Sequence, residues 1–289
     1  MALAQLDLAL GLLYEQDARS IEEAVHETRK ALKRLRALVR LLREELGSQT
    51  FERENAALRE IGRSLAGARD AEVLHATLRA LVSGRSSELR SGGVRKLQAV
   101  LVVERELATE RLAGAAGLRA QALDELRAVR GRAVGWPLSG GGFATVEPGL
   151  RRVYRNGRRR GRAARRTGTA VALHDWRKRV KDLRYMAELL EALEMPGARQ
   201  QRMRKAARDA KRIGELLGEE HDLALLSERV DSLRALFAGD RAGRRRLLRQ
   251  INRQRKRLRA EALEQGERLY RRSPASFTRR LRPRTHDAS

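Results

Sequence analysis

Two stretches of the chain each set a histidine ahead of a comb of basic residues: His26, Arg29, Lys30, Lys33, Arg36 and Arg40, then His174, Arg177, Lys178, Lys181 and Arg184. Aligned from the histidine, Arg29/Arg177, Lys30/Lys178, Lys33/Lys181, Leu35/Leu183 and Arg36/Arg184 coincide, with Leu41/Leu189 and Leu42/Leu190 beyond. A guanidinium fork matches phosphate oxygens bidentately, and an imidazole beside phosphate is favoured in its charged form. The chemistry on offer is therefore the binding of a polyanion. On a helix, His26, Arg29, Lys30, Lys33 and Arg40 share one stripe with Arg36 at its edge, while Val25, Leu32, Leu35, Val39 and Leu42 face the other way. The second copy sets His174, Arg177, Lys178, Lys181 and Arg184 against Leu173, Val180, Leu183 and Leu190. Like charges at i,i+4 cost a helix roughly 0.2–0.5 kcal/mol per pair. Few acids interrupt the stripes, and a bound polyanion would relieve that repulsion.

Other basic segments join these two. Residues 151–184 hold 14 Lys or Arg against two acids, Asp175 and Asp182, and include Arg155, Arg158 and Arg159. Arg204, Arg208 and Lys211 can form a line along one later helix. Arg241–Arg259 adds ten bases without an acid, and reads equally as ligand contact or as a solvated outer face.

What catalysis would need is missing from the sequence pattern. There are no cysteines, and the five histidines lack the His-x-x-x-His spacing of a zinc site. Gly140-Gly141-Gly142 is not followed by the lysine of a phosphate loop, and Asp70 and Asp222 read as helix caps. No catalytic residue, metal ligand or cofactor is expected, and the chain reads as a binding protein and not an enzyme.

The elements that must position these residues are helices throughout. The 289-residue chain is rich in Leu, Ala, Arg and Glu, has only five prolines, and carries 55 Arg and 8 Lys for a formal net charge of +26. Helices are expected over 2–16, 20–45 (opened by a capping box at Ser20), 50–65 (capped by Thr50), 70–82, 94–113, 118–130, 150–166, 169–194, 199–217, 221–238 and 240–272. A second alignment, Ile61–Leu74 with Ile213–Leu226, keeps the order and spacing of the first and marks an internal duplication. The expected organisation is a first helical bundle over 1–132, a linker over 133–149, a second bundle over 150–272 and a flexible tail over 273–289. The N-terminus lacks a basic leader and no apolar run approaches a membrane span, so a cytoplasmic location is expected.

The duplicated His-x-x-Arg-x-x-x-Lys/Arg-x-x-Arg pattern, with Leu217-Gly218-Glu219-Glu220-His221-Asp222 following the second copy, resembles the CHAD (conserved histidine α-helical domain) family over most of the chain. Tyr154-Arg155-Asn156-Gly157-Arg158 is similar to the segment that precedes the family's second histidine. The first half departs at one turn, where Gly67 sits one position late and Arg69 stands where the second half has His221. The resemblance implies an all-α fold of two pseudo-symmetric helical bundles with a basic groove or pore between them. It also implies binding of inorganic polyphosphate and association with polyphosphate granules. Nonspecific nucleic-acid binding is the rival reading, since +26 would attract any nucleic acid. Aromatic residues make up only 3% of the chain, which leaves few platforms for stacking bases. No protein partner is identifiable.

Overall fold

The computed structural model describes residues 1–14, 21–65, 69–83, 89, 91–113, 116–138, 142–192 and 197–282, and these form eleven α-helices with no strand among them. In chain order they are α1 (Ala2–Tyr14), α2 (Ile21–Leu41), α3 (Arg43–Ser64), α4 (Arg69–Ser83), α5 (Gly92–Ala113), α6 (Ala116–Val134), α7 (Phe143–Thr167), α8 (Ala170–Glu191), α9 (Ala198–Ser232), α10 (Arg241–Leu269) and α11 (Pro274–Arg279). A short 3-10 helix over Arg234–Phe237 precedes α10.

The helices group into two compact units that are not the two halves of the sequence. One takes Met1–Leu65, Ala116–Gly214 and Gln265–Ser289; the other takes Ala66–Ala115 and Glu215–Glu264. Each unit thus draws on both halves. In the larger unit α1 packs on α2, α7 packs on α8, and α2 and α8 pack on each other. Helix α2 also meets α3 and α7, which is why Thr28, Ala31 and Ala37 are buried along with the apolar face expected of it. Leu32, Leu35, Val39 and Leu42 are buried there, and Leu173, Val180, Leu183 and Leu190 on α8. Each such side chain removed from water contributes roughly 1.5–3 kcal/mol. In the smaller unit α4 packs on α5, and Asp240 accepts from the Gly93 and Gly243 amides at 3.0 Å each.

Several arginines enter these interfaces where a buried carboxylate receives them. In the larger unit Glu54 of α3 accepts two bonds from Arg132 of α6 at 2.9 Å each. Glu147 of α7 accepts from Arg282 at 2.8 and 2.9 Å and from the Thr278 hydroxyl at 3.1 Å. Asp182 of α8 accepts from Arg40 of α2 at 2.9 Å. In the smaller unit Glu220 of α9 receives Arg255 at 3.0 Å and Arg259 at 2.7 Å, both from α10.

Several boundaries differ from the sequence expectation. A break lies at Leu42, and the chain kinks again at Gly47 (φ 71°, ψ 164°), where the sequence placed its break, with Thr50 in the helical stretch beyond it. Helix α7 starts at Phe143 and includes Pro148, so the expected 133–149 linker is helical at both ends, over 133–134 and 143–149. Gly218 is buried within a continuous α9 where a break was expected. The tail is corrected over 273–282. Ser273 caps α11, the Phe277 ring stacks on Tyr154 with centroids 4.1 Å apart, and Thr278 is fully buried. Helix α8 starts where expected, and Thr169 caps it, accepting from the Ala172 amide at 3.3 Å. The expected cap at Ser20, the turn at Gly67, the side chains of Arg69 and Asp70, Gly140 and Gly141, and residues 283–289 lie outside the described residues.

A close helix approach supplies a test. A Cβ at Gly149 of α7 would stand 2.0 Å from the Leu41 carbonyl oxygen of α2, whereas one at Gly131 of α6 would meet nothing within 4 Å. Gly149→Ala must push the backbones apart and is expected to destabilise by about 1–3 kcal/mol or more. Gly131→Ala should be neutral or slightly stabilising, because alanine loses less backbone entropy in a helix. Thermal denaturation of the two variants checks both.

Candidate polyanion-binding site

Within the larger unit the two histidine-led helices meet α3 around a cavity of about 490 Å³. Helix α2 supplies Arg29, Lys33, Arg36 and Arg40, spaced to fall on one face. Helix α8 supplies Lys178, Arg179, Lys181, Asp182 and Tyr185, and α3 supplies Arg59 and Arg63, with Leu32, Leu58 and Gly62 completing the wall. Nine of the fourteen lining residues are cations and one is an acid, so the cavity is strongly positive.

Packing sets the field in this cavity. Burial pulls the Arg36 guanidinium down to about 10, neighbouring Arg40 adds to the fall, Asp182 opposes it, and Arg59 and Arg179 add further repulsion. Arg40 is also lowered, first by burial and against the pull of Asp182. Arg36 Nε is buried with no hydrogen-bond partner among the described residues. Buried donors are normally paired, so this one stands ready for an acceptor that the protein does not supply. Arg29 donates to the Leu65 carbonyl at 2.9 Å, which joins α2 to the end of α3.

Of the residues expected from sequence, the cavity gathers Arg29, Lys33, Arg36, Arg40, Lys178 and Lys181. The others do not line it. His26 is exposed and His174 only half-buried. Lys30 pairs with Glu27 at 2.9 Å, and Arg184 pairs with Glu188 at 2.7 Å and lies over the Tyr185 ring. Arg158 donates to the Tyr270 carbonyl at 3.1 Å and so joins α7 to the end of α10. Arg204 pairs with Glu191 at 2.8 Å. Arg155, Arg159, Arg208 and Lys211 are exposed, and Arg177 is half-buried. Three cavity cations, Arg59, Arg63 and Arg179, were absent from the sequence candidates. Arg59 and Arg63 both bond Glu60, at 2.9 and 3.2 Å. That local charge balance makes their helix look unremarkable in sequence.

The profile of the CHAD domain family matches residues 4–231. The chain belongs to the CHAD domain family. No curated protein matches it. The matched stretch of this CHAD domain contains every residue that lines the cavity. Among the described residues, no helix is long and apolar enough to cross a membrane.

A charged Arg36 carries a stability cost in the absence of an anion. With its folded value lowered and its unfolded value ordinary, the cost is fully present below pH 10 and fades only as pH rises above it. Arg36→Met keeps the apolar stem and removes the charge. It is expected to stabilise the anion-free protein by ~1 kcal/mol after allowance for solvent screening, a rise of roughly 2–4 °C in melting temperature. A fall in melting temperature would show that Arg36 is satisfied in the free protein.

Proposed function

We propose that this CHAD domain binds inorganic polyphosphate, with the cavity walled by α2, α3 and α8 as its principal site. The observation that carries the reading is the convergence of nine cations on a cavity holding one carboxylate. A linear polyphosphate has about one charge per phosphate and no bases to stack. Its recognition needs a dense, narrow array of guanidinium and ammonium groups, which this wall supplies. The lone lining acid, Asp182, is held by Arg40 and Arg179, so the carboxylate set that would hold Mg²⁺ for phosphoryl transfer is not gathered there. That supports a binding module over an enzyme. On this reading the protein associates with polyphosphate granules in the cytoplasm, and the exposed Arg155, Arg159 and Arg208 make weaker outer contacts with a long chain.

The duplication is part of the same proposal. The pairing of α1 with α2, matched by α7 with α8, supports two pseudo-symmetric repeats, each bringing its basic helix to one groove. The family to which the chain belongs is associated with polyphosphate binding in general, which favours this polymer over a nucleic acid.

Two measurements test the reading. Long-chain polyphosphate is expected to displace duplex DNA from the protein at physiological ionic strength, and equal displacement by either polymer would leave only nonspecific charge. Replacing Arg59 and Arg63 by alanine, both outside the histidine motifs, should weaken polyphosphate binding about tenfold or more. Replacing Arg155 and Arg159 should cost less than about threefold, each pair being worth one to a few charge-assisted contacts. The reverse ranking would place the site on the outer face of α7.

A further inference from the structure

Asp182 is the one carboxylate lining a cavity that nine cations also line. It is 7% exposed and ion-paired to Arg40 at 2.9 Å and to Arg179 at 3.0 Å. Arg40 comes from the other basic helix, so the carboxylate occupies the electrostatic position between both stripes that an incoming phosphate would seek. Among the described residues, the other buried carboxylates are Glu54, Glu147 and Glu220, which also receive arginines but do not line this cavity. From this arrangement we infer that Asp182 is a built-in counter-ion that holds the binding cations together in the free protein and competes with the polyanion for Arg40 and Arg179, thereby setting affinity. The inference rests on the binding role proposed for the cavity and concerns its regulation.

In the free protein, Arg36, Arg40 and Arg179 repel one another in a partly desolvated site. Asp182 offsets that repulsion, and removing one partner of a buried ion pair is strongly destabilising. In the complex, the polymer supplies the negative charge instead. Asp182 then repels the phosphates and holds an Arg40 N–H donor and the Arg179 charge that they could use. One residue thus stabilises the empty site and weakens the filled one.

Asp182→Asn keeps the shape and removes the charge. Expected are a lower melting temperature without ligand, a polyphosphate Kd about tenfold lower than wild type, and a larger rise in melting temperature on adding polyphosphate. Asp124→Asn, which removes an exposed acid of α6, controls for the protein's overall charge and should shift Kd by less than about twofold. If Asp182→Asn does not fold, Arg40→Gln is compared with Arg40→Gln/Asp182→Asn. The second lacks both partners of the pair and should bind polyphosphate more tightly than the first. Unchanged or weaker binding on loss of Asp182, in either background, overturns the counter-ion role. A wild-type protein whose polyphosphate binding is indifferent to Arg59 and Arg63 instead overturns the binding reading of the cavity, so the two failures are distinguishable.

Discussion

The larger unit depends on an ion pair buried between two basic helices. A chain with a net charge of +26 cannot press two arginine-lined helices together unless something between them is negative. Arg40 and Asp182 meet that need where α2 packs on α8. Such a pair contributes little net stability over an apolar contact of the same shape, because both groups lose water. Its effect lies in placement. With the pair formed, Lys33 and Arg36 of one helix and Lys178 and Lys181 of the other line the same cavity. Glu54 with Arg132 and Glu147 with Arg282 join other helices by the same device.

That geometry turns a surface property into a site. Basic side chains on a lone helix are solvated, screened and interchangeable. Partly buried against Leu32 and Leu58, with water partly excluded, the same groups interact more strongly with one another and with any anion that arrives. The depressed Arg36 and its unpartnered Nε record the strain of that arrangement in the empty protein. Binding sites are commonly assembled at such a cost to the free state.

Much of this was legible in sequence, and the exceptions have physical causes. The all-helical class and the buried faces of α2 and α8 follow from 3.6-residue periodicity, and Leu35 and Leu183 are both fully buried. Periodicity places a residue on a face but not its side chain on a partner, so Lys30 could not be seen turning to Glu27. Arg59 and Arg63 were invisible because their helix carries balancing acids and reaches the cavity only through tertiary packing. Asp182 looked like a stray acid in a basic run, whereas burial makes it the centre of the cluster. The compact units draw on both sequence halves, because each half's helices bury their apolar faces against helices of the other. The histidines mark the motif in sequence, but neither lines the cavity.

The most direct measurement is a crystal structure of the protein with a short polyphosphate. Phosphate density is expected in the cavity, with oxygens in hydrogen-bonding distance of Arg36, Arg59 and Lys181. An empty cavity, with phosphate only along the exposed arginines of α10 such as Arg245, Arg249 and Arg253, would contradict it.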